Sequence, residues 1–175
     1  MYANARKPDS TNVPIIPYGS RVLVSACLLG LKTRYKGDSK PCPYVTDFLL
    51  SEGLIPIPVC PEQLGGLPTP RLPSAFVSAN GAAVLQQQAH LQDCEGTDTT
   101  QAFIHGAHQC LEIARLCGCE WAIFKERSPS CGVHQIYVGE TCIKGQGVTT
   151  SLLLREGLQV ISEAEVSILH PQQLY

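Results

Sequence analysis

The chain has 175 residues, 44% of them hydrophobic and 16% charged, with a formal net charge of -2. That length suits one domain with a substantial core, and the composition excludes a collagen-like repeat, a disordered acidic or basic tail and a strongly basic nucleic-acid surface. No apolar run approaches the roughly 20 residues needed to cross a bilayer.

The first 20 residues, "MYANARKPDSTNVPIIPYGS", lack the apolar core of a signal peptide and read as an N-terminal extension to a single α/β domain spanning 21–175, expected in the cytoplasm. "RVLVSA" from Arg21 is a short β-branched run and reads as a strand. "PYVTDFLLSEG" places Val45, Phe48 and Leu49 at helical spacing and stops at Gly53. "LIPIPV" from Leu54 is a second strand. "AFVSANGAAVLQQQ" carries Asn80-Gly81 between apolar stretches, the signature of a two-residue hairpin turn, so a small antiparallel hairpin is expected there. "TDTTQAFIHGAHQCLEIARLCG" opens on capping residues and closes on Gly118, a long helix. "EWAIFK" from Glu120 and "LQVIS" from Leu158 are strands, with the helix "VTTSLLLREG" between them. Strands alternating with helices, several of them apolar without period-two alternation, predict a three-layer domain. It has a mostly parallel, Rossmann-like sheet covered by helices on both faces.

Three of these strands end in a cysteine. Cys27 follows "RVLVSA", Cys60 follows "LIPIPV", and Cys131 lies in the "ERSPSCG" loop after "EWAIFK". Ligands of open α/β sheets bind outside the carboxyl ends of the strands, so three thiols delivered there should converge. In a reducing compartment cysteines serve metals or catalysis more often than disulfides. Three thiolates suit a soft centre, zinc or an iron-sulfur cluster, and a cubane held by three would keep one iron open. Cys-x2-Cys pairs are absent, which counts against a zinc ribbon. A thiol-phosphatase loop is a rival, but Cys27 to Arg34 is Cys-x6-Arg, one residue longer than that loop requires.

The remaining cysteines read differently. Cys110 falls on the apolar face of the long helix, where a thiol packs as a small hydrophobe; Cys94, Cys117, Cys119 and Cys142 are read as structural, and Cys42 stays open. His105 and His108, three apart on the same helix, are read as helix surface or core edge rather than a metal pair. Glu62, two residues past Cys60, is either a proton acceptor beside bound substrate or a cap or ion-pair partner. Lys125, Ser128 and Ser130 stand close to Cys131 and are candidate hydrogen-bond partners of a substrate, with Ser128 alternatively capping a turn. Arg34 and Arg71 are substrate-facing forks or loop staples.

"VSACLLG" (Val24 to Gly30) with "RYKG", "PVCPEQLGGLPTPRLP" (Pro58 to Pro73), "GTDTTQAFIHGA", "FKERSPSCG" (Phe124 to Gly132), "IYVG" and "GQGVTTSLLLREG" (Gly145 to Gly157) together resemble the bacterial thiouracil desulfidase family. The resemblance runs from Arg21 to about Ser162. It implies an enzyme that converts thiouracil to uracil and hydrogen sulfide without net redox change, using a 4Fe-4S cluster held by Cys27, Cys60 and Cys131. The substrate sulfur would bind at the open iron, with Glu62, Ser130 and Lys125 as catalytic candidates. Two positions depart from the family's pattern: Thr33 stands where many relatives have a cysteine, and Ser74-Ala75 where a glutamate usually follows. The implied partner is a small thiolated pyrimidine, with neither a stable nucleic-acid partner nor a membrane. The alternatives are desulfuration of 4-thiouridine within tRNA, for which longer relatives carry an additional domain, and a non-catalytic metal- or sulfur-binding module.

Overall fold

The computed structural model describes residues 16–169. Residues 1–15 of the expected N-terminal extension lie outside the described residues, while Ile16 is buried against the first core cluster described below. No described helix is long and apolar enough to cross a membrane.

The main sheet has four parallel strands: β1 (Arg21–Ser25), β2 (Ile55–Val59), β5 (Trp121–Phe124) and β8 (Gln159–Ser162), in the order β2-β1-β5-β8. All four are the strands read from the sequence. Alternation along each strand divides the core into two. Val22 and Val24 of β1 and Ile123 of β5 face one side, where they meet Val45, Phe48 and Leu49 of α1 (Pro43–Ser51) and Val166 of α6 (Glu163–Leu169). Leu23, Ala122 and Phe124 face the other. There they meet Phe103, Ala107, Cys110, Leu111 and Ala114 of α4 (Thr100–Cys117), with Val148, Leu152 and Leu153 of α5 (Val148–Arg155). Helices cover both faces, so the domain has the expected three layers.

Edge strand β2 explains an odd sequence. Ile55 donates its N–H toward β1, to Ser20 O at 2.9 Å, so the backbone nitrogens of Pro56 and Pro58 point away from the sheet. Proline there removes the outward donors that would pair with a foreign strand.

The hairpin expectation is corrected in its details. Asn80 and Gly81 form no tight turn: Asn80 has φ -148, whereas a type I′ turn needs positive φ at both central residues. Asn80 instead caps α3 (Gly81–Leu85), accepting the Ala83 N–H at 3.2 Å. The antiparallel pair lies outside this helix, joining β3 (Ser74–Phe76) to β4 (Leu91–Asp93). A second hairpin, β6 (Gln135–Val138) with β7 (Thr141–Lys144), turns at Gly139, whose φ is +55. The four strands form a second sheet, β4-β3-β6-β7, so the excursion is larger than one hairpin.

Short α2 (Pro61–Leu64) begins immediately after Cys60 and lies directly on α4. The contact is backbone to backbone. A Cβ on Gly65 would collide with the carbonyl of Ala102, and one on Gly106 with the carbonyl of Pro61. No side chain separates the two elements, which fixes the height of the Cys60 loop over α4. Gly106→Ala should therefore destabilise the fold by about 3 kcal/mol, at the upper end of core overpacking. His108→Ala, on the exposed face of the same helix, should stay within about 0.5 kcal/mol. Denaturant melts of the metal-free proteins check this, and equal midpoints for Gly106→Ala and wild type would contradict it.

Candidate functional site

In the order β2-β1-β5-β8, the chain leaves β1 toward one edge and β5 toward the other, so the loops after β1 and β5 diverge. A crevice opens at such a point. A cavity of about 460 Å³ lies here, and Cys27, Cys60 and Cys131 all line it. The three thiols singled out at the strand ends therefore share one cavity.

Each thiol has its own mount. Cys27 sits in a single turn of 3-10 helix (Ala26–Leu29) that ends at Gly30 in the left-handed region, φ +92. Cys27 O accepts the N–H groups of Gly30 and Lys40, so the turn also anchors the following loop. Cys60 stands at the entry to α2, and its Sγ contacts Thr33 O at 3.5 Å.

Cys131 is held most elaborately. Ser128 Oγ accepts the N–H groups of Ser130 at 3.2 Å and Cys131 at 3.1 Å, so Ser128 caps the turn that presents the thiol. The first turn of α5 grips the same loop from below. Val148 donates to Pro129 O, Thr149 and Thr150 both donate to Ser130 O, and Thr150 Oγ1 donates to Cys131 O at 2.9 Å. The free N–H groups of a helix start thus find their acceptors in the cysteine loop. Glu126 closes the far end, accepting the N–H groups of Val133, His134 and Gln135 on its carboxylate. Gly147 lies so near the loop that a Cβ there would strike Ser130 O.

Burial sets the electrostatics. It pushes the Cys27 thiol up to about 11, with Cys60 adding to the rise while Lys125 and Arg34 draw it down. Burial raises Cys131 well above the ordinary thiol value; Ser25 pulls it back through a hydrogen bond, while Cys110, Cys60 and Cys27 push it further. Neutral at pH 7, Cys27 and Cys131 become thiolates only with a cation to neutralise them, and loading the site releases protons.

Glu62 is fixed from two sides. Its Oε2 accepts from Arg71 Nε at 2.7 Å and its Oε1 from Ser130 Oγ at 3.1 Å. Arg71 is a staple, also bonded to Thr33 O, Pro68 O and Thr69 Oγ1, and its side chain is only 5% exposed. Glu62 lines the cavity; Ser130, almost fully buried, is absent from the lining and reaches it through Glu62. Lys125 also lines the cavity, with Nζ bonded to Glu163 Oε1 at 2.5 Å and to Glu126 O at 3.1 Å. Arg34 pairs with Asp38 at 2.7 Å. His105 and His108 lie on α4, outside the site, with His108 exposed. Cys110 is fully buried in the α4 core, outside the cavity lining, as its place on the apolar face predicted.

Sequence reasoning missed Ser25, Glu163 and the two tyrosines of the lining, Tyr35 and Tyr137. Glu163 had a signal, since it follows the last strand at the same carboxyl edge. Thr33, Ser74 and Ala75, where the chain departs from the family's pattern, all line the cavity.

Among the described residues no three His, Cys, Asp or Glu side chains gather closely enough to hold a single metal ion. Cysteines that hold a cluster bond different irons and stand farther apart, so the spread of these three thiols around one cavity fits a cluster better than a lone ion.

Comparison with known proteins places the chain in a family. A family model described as 2-thiouracil desulfurase matches residues 22–165. The uncharacterized protein YbbK of Bacillus subtilis (strain 168) is 37% identical over 149 residues, covering 83% of this chain and 97% of its own. A solved structure described as the 4Fe-4S-dependent thiouracil desulfidase TudS matches with a TM-score of 0.73 at 39% identity, covering 86% of this chain and 95% of that one. With nearly its whole described length matched, the chain belongs to the 2-thiouracil desulfurase family.

Proposed function

We propose that the protein hydrolyses the C–S bond of a thiolated uracil, yielding uracil and hydrogen sulfide, at a 4Fe-4S cluster held by Cys27, Cys60 and Cys131. The observation that carries this reading is the meeting of three thiols from three strand ends with a fixed carboxylate, Glu62, around one cavity. Family membership and the likeness to a 4Fe-4S-dependent thiouracil desulfidase support it. When bound, a cluster held by only three thiolates offers one iron without a protein ligand, a Lewis acid with affinity for sulfur.

The chain's own residues supply the rest. Exchange of C=S for C=O consumes one water and releases one molecule of hydrogen sulfide, with no electron transferred, so the protein must handle protons. Glu62 is the group placed to do so. Arg71 and Ser130 occupy one lone pair on each oxygen, and a carboxylate keeps further acceptor capacity for water. Held on both sides, it needs no reorganisation when a proton arrives. Ser130 acts as a positioning residue for Glu62, while Lys125 places positive charge beside Cys27 and favours its thiolate. Tyr35 and Tyr137 are the aromatic residues of the lining, and an aromatic ring is a surface suited to a planar pyrimidine.

Anaerobically reconstituted protein should consume 2-thiouracil or 4-thiouracil, read as loss of thione absorbance with matching sulfide release. Fully loaded protein that leaves both bases unchanged would overturn the proposal. Glu62→Gln retains the frame, because the amide oxygen still accepts from Arg71 and the amide nitrogen can donate to Ser130 Oγ. It removes the proton acceptor. Turnover should fall by at least about 100-fold, the lower end of general-base contributions, while iron content stays at the wild-type level. Unchanged turnover would take Glu62 out of the mechanism.

A further inference from the structure

Arg71 lines the cavity, yet its side chain is only 5% exposed. Its main chain and its side chain hold different things. The backbone N–H donates to Tyr35 O at 2.8 Å, which ties down the cavity wall formed by Thr33, Arg34 and Tyr35. The guanidinium holds Glu62. Nη1 donates to Pro68 O at 3.2 Å and to Thr69 Oγ1 at 3.1 Å, and Nη2 donates to Thr33 O at 3.1 Å. Acceptors from its own loop and from the loop after Cys27 therefore fix the plane of the fork. Nε is left aimed at Glu62 Oε2, 2.7 Å away.

We propose that Arg71 is a positioning residue for the reaction, its guanidinium setting the direction of the Glu62 carboxylate relative to a cavity wall that its own backbone holds. The inference rests on the reading of Glu62 as the proton acceptor. The terminal torsion of a glutamate is broad, so a carboxylate on a free stem turns easily. Arg71 on one oxygen and Ser130 on the other remove that freedom. Reaction rate depends steeply on such placement, a displacement of about 1 Å costing on the order of 100-fold. Lysine is no substitute, because an ammonium is a point charge without the planar fork that reaches Glu62 and the three anchors together. The division between main chain and side chain also separates binding from turnover. A substitution of the side chain keeps the bond to Tyr35 O and loses the one to Glu62.

The test is steady-state thiouracil turnover by anaerobically reconstituted Arg71→Lys and Arg71→Met, alone and combined with Glu62→Gln, with iron and sulfide per chain measured on the same samples. Each single variant should keep wild-type cluster content, lower kcat about 10- to 100-fold and hold KM within about twofold. On the Glu62→Gln background the same substitutions should lower kcat little further, because a residue that acts through Glu62 then has no proton acceptor to position. A merely structural role would move loading, KM and kcat together and would multiply with Glu62→Gln. Unchanged kcat in either loaded single variant overturns the inference. So does a raised KM with kcat intact, which would make Arg71 a substrate contact, and so do losses that multiply in the double variants. Loss of the cluster from both single variants overturns it as well and assigns Arg71 to assembly, through the Thr33 carbonyl that Cys60 Sγ also contacts. A loaded wild type that turns over no thiouracil is a separate outcome: it removes the proposed function, and this inference with it.

Discussion

The close contact of backbone on backbone at Gly65 and Gly106 is the constraint on which the site depends. Two short elements, α2 and the cysteine loop after β5, must sit close to helices that form the core, and glycine is the only residue that lets them. Gly106 seats α2 on α4, and Gly147 seats the Pro129–Cys131 segment at the start of α5. Because α4 and α5 pack against each other on one face of the sheet, Cys60 and Cys131 share a common base. Cys27 comes from β1, the strand between β2 and β5. The relative positions of three thiols, far apart in sequence, are therefore set by the core.

The polar groups around the cavity mainly hold loops in place. Glu126 gathers three backbone N–H groups, Glu163 takes the Glu126 N–H and the Lys125 ammonium, and Arg71 joins Glu62 to the Thr33 and Pro68 carbonyls. Such a frame gives the site rigidity before any ligand arrives, which is how an enzyme avoids reorganising during reaction. Its electrostatic counterpart is the pair of buried thiols, Cys27 and Cys131, held neutral until a cation enters. On the proposed assignment of these thiols as ligands, cluster binding and their deprotonation are one coupled event.

Much of this was legible in the sequence, for identifiable reasons. The four main strands are short apolar runs with turn residues behind them, and the parallel sheet follows from their alternation with helices. That architecture alone selected Cys27, Cys60 and Cys131. The Asn80-Gly81 pair misled because the same two residues serve a hairpin turn and a helix start, and only the backbone conformation, extended at Asn80, separates them. The second sheet escaped because its strands are three or four residues long and its central contact is a single pairing, Phe76 with Val138. Ser25 and Glu163 escaped because their roles arise from pairings across the sheet, Ser25 with Lys125 and Glu163 with Lys125 and Glu126. Neighbours in sequence carry no trace of the Ser25 pairing, and for Glu163 the one signal is its place directly after the last strand.

The most direct measurement is iron and acid-labile sulfide per chain after anaerobic reconstitution, in wild type and in single serine substitutions. The three proposed ligand cysteines are compared with Cys94 and Cys142, which are exposed and outside the cavity lining. Wild type, Cys94→Ser and Cys142→Ser should each carry about four irons and four sulfides, the content of one cubane. Cys27→Ser, Cys60→Ser and Cys131→Ser should each lose most of both. Full loading in any of those three, or loss of iron in Cys94→Ser or Cys142→Ser, would contradict the assignment of the cavity as the cluster site.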